Sequence, residues 1–181
     1  MKKAKKFISL FITICLLMTF VPMQMVYADS AFSGGNGTMD DPYLITSAND
    51  FKQLATEVNG GNNYSNTYFK IPETVTETIE LSTDDGYVPI GNDTNQFEGT
   101  FDGGNHTINL NLTGERLVGL FGEGGENSNL CNIRTTGSVS MTGYYAGGIV
   151  ANMYGNVVNC HNEASVTGYY HVGGIVGISD N

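Results

Sequence analysis

Apolar residues recur with two different periods along this chain, and the change from one to the other divides it. Phe51, Leu54, Ala55 and Val58 stand at i, i+3, i+4 and i+7, the apolar stripe of a helix. Ser47, three residues ahead of Asp50, supplies a capping box, and Gly60-Gly61 close the segment, so the spacing predicts an amphipathic helix over 48–59. Ahead of it, residues 34–42 are turn-formers and acids without periodicity and read as a lead-in loop to the short strand signal Tyr43-Leu44-Ile45. From Asn62 onward the helical period is gone. Short β-type runs alternate there with Gly, Asn and Asp turns, and none is long enough to bury itself.

Those runs align with one another. Gly147-Gly148-Ile149-Val150 matches Gly173-Gly174-Ile175-Val176 at a spacing of 26, while Asn132-Ile133 with Asn159-Cys160 and Ser138-Val139 with Ser165-Val166 match at 27. The one-residue difference puts an indel near the Tyr-Tyr pairs. A degenerate copy, Val118-Gly119-Leu120-Phe121-Gly122, aligns its Gly119 with Gly148 at 29. Strands this short acquire a core by stacking like partners about 4.8 Å above and below, each rung hydrogen-bonding to the next. The L-x-x-L-x-L skeleton of leucine-rich repeats and the helix pairs of ankyrin repeats are missing. The expected fold is all-β: a parallel β-helix, or β-solenoid, of about four three-stranded rungs over 62–181. The helix within 29–61 would cap the open N-terminal end of its interior.

The amino terminus reads as an export signal. Lys2 to Lys6 form a positive segment and Phe7 to Val21 an apolar run of 15 residues, short for a bilayer span of roughly 20. Pro22 breaks the run, and Val26-Tyr27-Ala28 offers a cleavage site, so residues 1–28 are expected to be a cleaved signal peptide with no stable membrane insertion afterwards. Four of the eight basic residues lie in the first six positions, leaving four against all 18 acids beyond them. That charge excludes a nucleic-acid partner and leaves neutral sugars, cations or proteins.

Asp41-Pro42-Tyr43-Leu44-Ile45, the helix with Phe51 and Leu54, Val88-Pro89-Ile90-Gly91, Phe97-Glu98-Gly99-Thr100-Phe101-Asp102-Gly103 with His106-Thr107-Ile108, and the Gly-Gly-Ile-Val repeats together resemble GLUG-motif proteins. The resemblance covers nearly the whole mature chain. It implies a bacterial, secreted or cell-surface β-helix serving as a stalk or adhesion-like region. Some immunoglobulin-A-cleaving metalloproteases carry the motif as an accessory region, but His106, His161 and His171 are not part of an H-E-x-x-H zinc signature. The chain departs from the pattern at Val118-Gly119, where later copies have two glycines. It also stops at Ile178-Ser179-Asp180-Asn181 with no polar cap, and an uncapped end of this kind would be a point of association.

Candidate chemistry is sparse. The three histidines are spread along the chain and read as structural, His106 folding over the turn at Gly103-Gly104; no metal site and no cofactor is expected. Asp84, Asp85, Asp93 and Asp102 are the carboxylates that a polysaccharide lyase or hydrolase on this fold would need to bring together across about 5 to 10 Å, but Asp84-Asp85-Gly86 and Asp102-Gly103 read as turns. Weak calcium binding at 40–41 or 92–95 lacks a D-x-[DN]-x-[DN]-G loop. Register at 27 sets Cys131 opposite Val158 and Ile133 opposite Cys160. That puts both sulfurs on the inward face with Cα atoms roughly 8 Å apart, beyond bridging reach. The Asn-x-Ser/Thr matches at Asn36, Asn63, Asn92, Asn105 and Asn111 read as turn asparagines.

The doublets Tyr144-Tyr145 and Tyr169-Tyr170 recur at the same point of successive repeats, and stacked rungs would set them in a ladder. Such a ladder either fills a corner or presents aromatic faces to a sugar or a protein. The sequence-based expectation is a non-enzymatic surface module for adhesion, partner binding or spacing. A host or matrix protein or a glycan would be its partner, and the four tyrosines its ligand-binding residues. A carbohydrate-active enzyme using the clustered aspartates is the alternative.

Overall fold

The computed structural model describes residues 32–179; the expected signal peptide lies outside the described residues. The described chain is a pile of short parallel strands closed at its N-terminal end by one helix. Strands β1 (Tyr43–Leu44), β2 (Tyr68–Lys70), β4 (Thr100–Asp102), β8 (Asn129–Cys131) and β12 (Asn156–Val158) form the first sheet. The second holds β3 (Ile79–Ser82), β5 (Thr107–Gly114), β9 (Arg134–Met141) and β13 (His161–Asn162), with β14 (Ser165–Thr167) also pairing with β9. The third side of the expected three-stranded rung is two sheets: β6 (Leu117–Val118), β10 (Tyr145–Gly147) and β15 (Val172–Gly173), then β7 (Phe121–Gly124), β11 (Val150–Met153) and β16 (Val176–Ser179). The Gly-Gly-Ile-Val runs span the corner between these two sheets. The corner keeps Ile149 buried while the chain changes direction.

All these pairings are parallel, and their register reproduces the spacings in the sequence: Val150 pairs with Val176 and Phe121, Ser138 with Ser165, Leu130 with Val157. In the first sheet Phe69, Phe101 and Leu130 stand in register and point inward. In the second, Ile79 lies beside Ile108, and Leu112 beside Val139. Each such side chain is worth roughly 1.5–3 kcal/mol once removed from water. No single rung could bury it without the next. In the last rung the columns are more open, with Val172 41% and Ile175 36% exposed.

Helix α1 (Ala48–Asn59) begins as its sequence requires. Ser47 Oγ accepts from the Asp50 amide at 3.3 Å, and the Asp50 carboxylate accepts from the Ser47 amide at 3.0 Å. Its stripe of Phe51, Leu54, Ala55 and Val58 is fully buried, and Phe51 meets Phe101 with ring centroids 5.6 Å apart. Lys52 donates to the Asp85 carbonyl and Asn59 to the Pro89 carbonyl, tying the helix across the first rung. The lead-in is part of the pile, since β1 pairs with β2.

Turns between the first and second sheets stack as well. Asn105, Asn132 and Asn159 have φ of 61°, 54° and 52°, a conformation that asparagine tolerates better than other side-chain-bearing residues. Asn159 Nδ2 donates to Asn132 Oδ1 at 2.6 Å, and Asn132 Nδ2 to Asp102 Oδ1 at 2.8 Å, so the turn side chains form their own ladder. Four of the sequons sit in comparable turns: Asn36, Asn63 and Asn92 accept from the backbone two residues on, and Asn105 holds a left-handed turn.

The cysteines need a correction. Strand alternation gives the inward place on β8 to Leu130, so Cys131 beside it faces the outer surface, whereas Cys160, past the Asn159 turn, packs against the core. Both thiols are free and half-buried, and they do not share the inward face expected of them.

Candidate functional site

The tyrosines occupy the corner where the second sheet gives way to the third. Between β9 and β10 the chain lies flat on the rung below: Thr142 donates to the Gly114 carbonyl and Tyr145 to the Arg116 carbonyl, both at 3.0 Å. At Gly143 the backbone comes so close that a Cβ would stand 1.7 Å from the Glu115 carbonyl oxygen. With no room beneath the turn, the neighbouring side chain at 144 projects into solvent.

The ladder forms, but shifted by one residue. Ala146 pairs with Val172, which sets Tyr144 over Tyr170 and Tyr145 over His171. The one-residue indel falls between the Ser140–Thr167 and Ala146–Val172 pairs, near the doublets as the sequence spacings imply. Tyr144 and Tyr170 stack with centroids 6.0 Å apart and planes 22° from parallel, and Tyr145 and His171 lie 5.1 Å apart at 30°. Tyr144 is 57% exposed, Tyr170 63% and Tyr169, outside the stack, 78%. These rings do not fill the corner; they line its outside. Sequence reading missed His171 as a member, although carrying the 26-residue spacing of the Gly-Gly-Ile-Val anchors back through the doublet places it over Tyr145.

Arg116 extends the column by one rung. Leu117 pairs with Tyr145, so Arg116 occupies the register position beneath Tyr144, and its guanidinium meets Asp93 at 2.9 Å. A recess of about 330 Å³ adjoins, with Asp93, Glu115 and Arg116 on its wall. The corner thus combines stacked aromatic faces with a solvent-exposed ion pair. An arrangement of this kind grips flat, partly apolar surfaces and orients their polar groups.

The candidate aspartates are dispersed. Asp84 and Asp85 lie in the turn after β3, Asp93 pairs with Arg116, and Asp102 on β4 accepts from the Gly104 amide and Asn132 Nδ2. No hydrogen bond among the described residues joins two of them. The 92–95 turn closes on itself through Asn92 and Asn95, with the Asn92 Oδ1 accepting two backbone bonds. Among the described residues no group of three His, Cys, Asp or Glu side chains is placed to hold a metal ion. His106 lies over its turn, its Cδ2 3.0 Å from where a Cβ on Gly104 would be, and His161 pairs with Glu163 at 2.9 Å.

Two curated proteins align with most of this chain. One, described as a Gly-rich membrane protein of Evansella cellulosilytica, is 32% identical over 165 residues, covering 87% of this chain and 18% of that protein. The other, the halomucin of Haloquadratum walsbyi, is 36% identical over 155 residues, covering 81% of this chain and 2% of that protein. The chain spans less than a fifth of the length of either relative. No protein-family model matches it, so the likeness to GLUG-motif proteins rests on the residues quoted above. No solved structure matches it.

Proposed function

We propose that this chain is a secreted or cell-surface β-solenoid module, without chemistry of its own, that engages an extracellular glycan or matrix protein through the tyrosine corner. The observation that carries this reading is the exposed stack of Tyr144 on Tyr170, with Tyr169 beside it, on an otherwise strongly acidic surface. Large aromatic rings left this far in water bury little surface on folding, and rings of this kind anchor carbohydrate and protein contacts. The names of the two relatives, a membrane protein and a halomucin, support a surface association, as does the likeness of the repeats to GLUG-motif surface proteins. Among the described residues no helix is long and apolar enough to cross a membrane.

The experiment is a glycan and extracellular-matrix array probed with residues 29–181, alongside antibody staining of intact, unpermeabilised cells. The reading predicts surface staining and selective binding to a small group of array spots. Staining only after permeabilisation, or a blank array, would overturn it.

A further inference from the structure

A second feature, on a different sheet, has the form of a ligand site. The outer face of the first sheet carries two columns that flank the inward phenylalanines: Tyr68, Thr100 and Asn129 on one side, Lys70, Asp102 and Cys131 on the other. Together they floor a recess of about 560 Å³, within the usual range for small-ligand sites. The lead-in loop forms its wall through Met39 and Pro42.

That wall is built rather than incidental. The Asn36 and Gly37 amides donate to the Asp41 carbonyl at 3.0 Å, Asn36 Oδ1 accepts from the Thr38 amide and hydroxyl, and the Tyr68 amide donates to the Gly37 carbonyl at 2.9 Å. The loop is thereby fixed to the edge of the sheet, holding Met39 out at 75% exposure beside the recess. Floor groups are left unused by the fold. Tyr68, Lys70 and Asn129 are partly buried residues whose polar side-chain ends stay open to solvent, and none of these ends makes a hydrogen bond or ion pair to the described residues. Such groups are satisfied by water and are free to exchange it for the hydroxyls of a ligand that enters the recess.

We infer that this groove is a second binding site, independent of the tyrosine corner, for a neutral saccharide chain. Hydroxyl, amide, ammonium and carboxylate groups in one recess suit a ligand rich in hydroxyls that both donate and accept, and the ring of Tyr68 with Met39 and Pro42 suits the apolar face of a pyranose. The columns repeat at the spacing of stacked strands, about 4.8 Å, close to the advance of one pyranose along an extended chain. Asp40 and Asp102 outnumber the single ammonium of Lys70, and the molecule is acidic throughout, so an anionic glycan is disfavoured.

Cys131 in the floor reports occupancy. Burial first, then Asp102 and Cys160, push its thiol up to about 11, so it alkylates slowly and its rate is easily followed by peptide mapping at mildly alkaline pH. Cys160, packed against the core, is the control in the same tube. Tetrasaccharides of glucose, mannose and N-acetylglucosamine at about 10 mM are the probes. At least one should slow Cys131 by about twofold or more, as half-occupancy requires, leave Cys160 unchanged, and lose the effect in a Lys70→Ala, Asn129→Ala variant of unchanged circular dichroism. Tyr144→Ala, Tyr170→Ala should keep the protection. An unchanged Cys131 rate with all three probes, equal slowing of both cysteines, or loss of protection in the tyrosine variant would overturn the groove. A blank array with Cys131 protected would instead sink the corner and leave the groove standing.

Discussion

Gly143 shows how a single missing side chain shapes this surface. A methyl group there would collide with the Glu115 carbonyl oxygen, and the turn that projects Tyr144 would have to lift off the rung below. Gly143→Ala is therefore expected to cost about 2 kcal/mol in a denaturant titration and to weaken binding at the corner. Gly86 provides the contrast: its φ is +81°, but no atom lies within 4 Å of an added Cβ. Gly86→Ala should cost about 1 kcal/mol through its backbone alone and leave binding untouched. Equal loss of binding in both variants would contradict this assignment of the turn. The sequence marks both positions only as turn glycines; which one carries a packing constraint depends on the rung beneath, which lies 28 residues away at Glu115.

The capping helix and the β7 strand contain carboxylates whose effects on stability run in opposite directions. Burial works against ionisation of Asp50, but the Thr46 amide and the hydroxyls of Ser33, Ser47 and Thr46 outweigh it and hold the carboxyl below its ordinary range. An acid lowered in the folded state contributes stability above its unfolded pKa and loses it as the pH falls through the folded value. Asp50→Ala should cost about 1 kcal/mol or more at pH 7, with the gap to wild type closing as the pH falls below the usual carboxylate range. Glu123 on β7 behaves oppositely: burial raises it, with Asp93 adding to the effect, although Gln96 donates to it at 2.8 Å. Stability it permits at low pH is lost as the pH rises above the unfolded value. Glu123→Gln should therefore be more stable than wild type at pH 7 and indistinguishable from it near pH 3, as read from thermal melts at both. A gap that widens toward acid for either variant would refute these environments. The helix was fully legible, since cap, stripe and terminal glycines are local signals. Glu123 was not, because its burial comes from Gln96 and the adjacent strands rather than from its sequence neighbours.

As a whole the molecule is one stack, and its interior is continuous from Phe51 on the helix through Phe101 to Phe121, with Phe101 and Phe121 centroids 5.4 Å apart. Phe101→Ala should cost about 3–5 kcal/mol and lower a single cooperative transition seen alike by far-ultraviolet and tyrosine signals; two separated transitions would mean that helix and rungs fold apart. The parallel solenoid and its spacings were legible because each rung repeats the one before. The fourth sheet was hidden because Gly-Gly-Ile-Val reads as an apolar run when it is a corner around Ile149. The outward turn of Cys131 was hidden because alternation had to be counted from Leu130, and the groove that Lys70, Asp102 and Cys131 share joins three distant strands and a loop. The most direct test of the proposed function compares wild type with Tyr144→Ala, Tyr170→Ala, matched in circular dichroism, on the glycan or matrix component that binds best without protecting Cys131. The account predicts an affinity at least about tenfold weaker in the variant, the loss of one aromatic anchor of about 1.4 kcal/mol or more. Undiminished binding by the variant would contradict it.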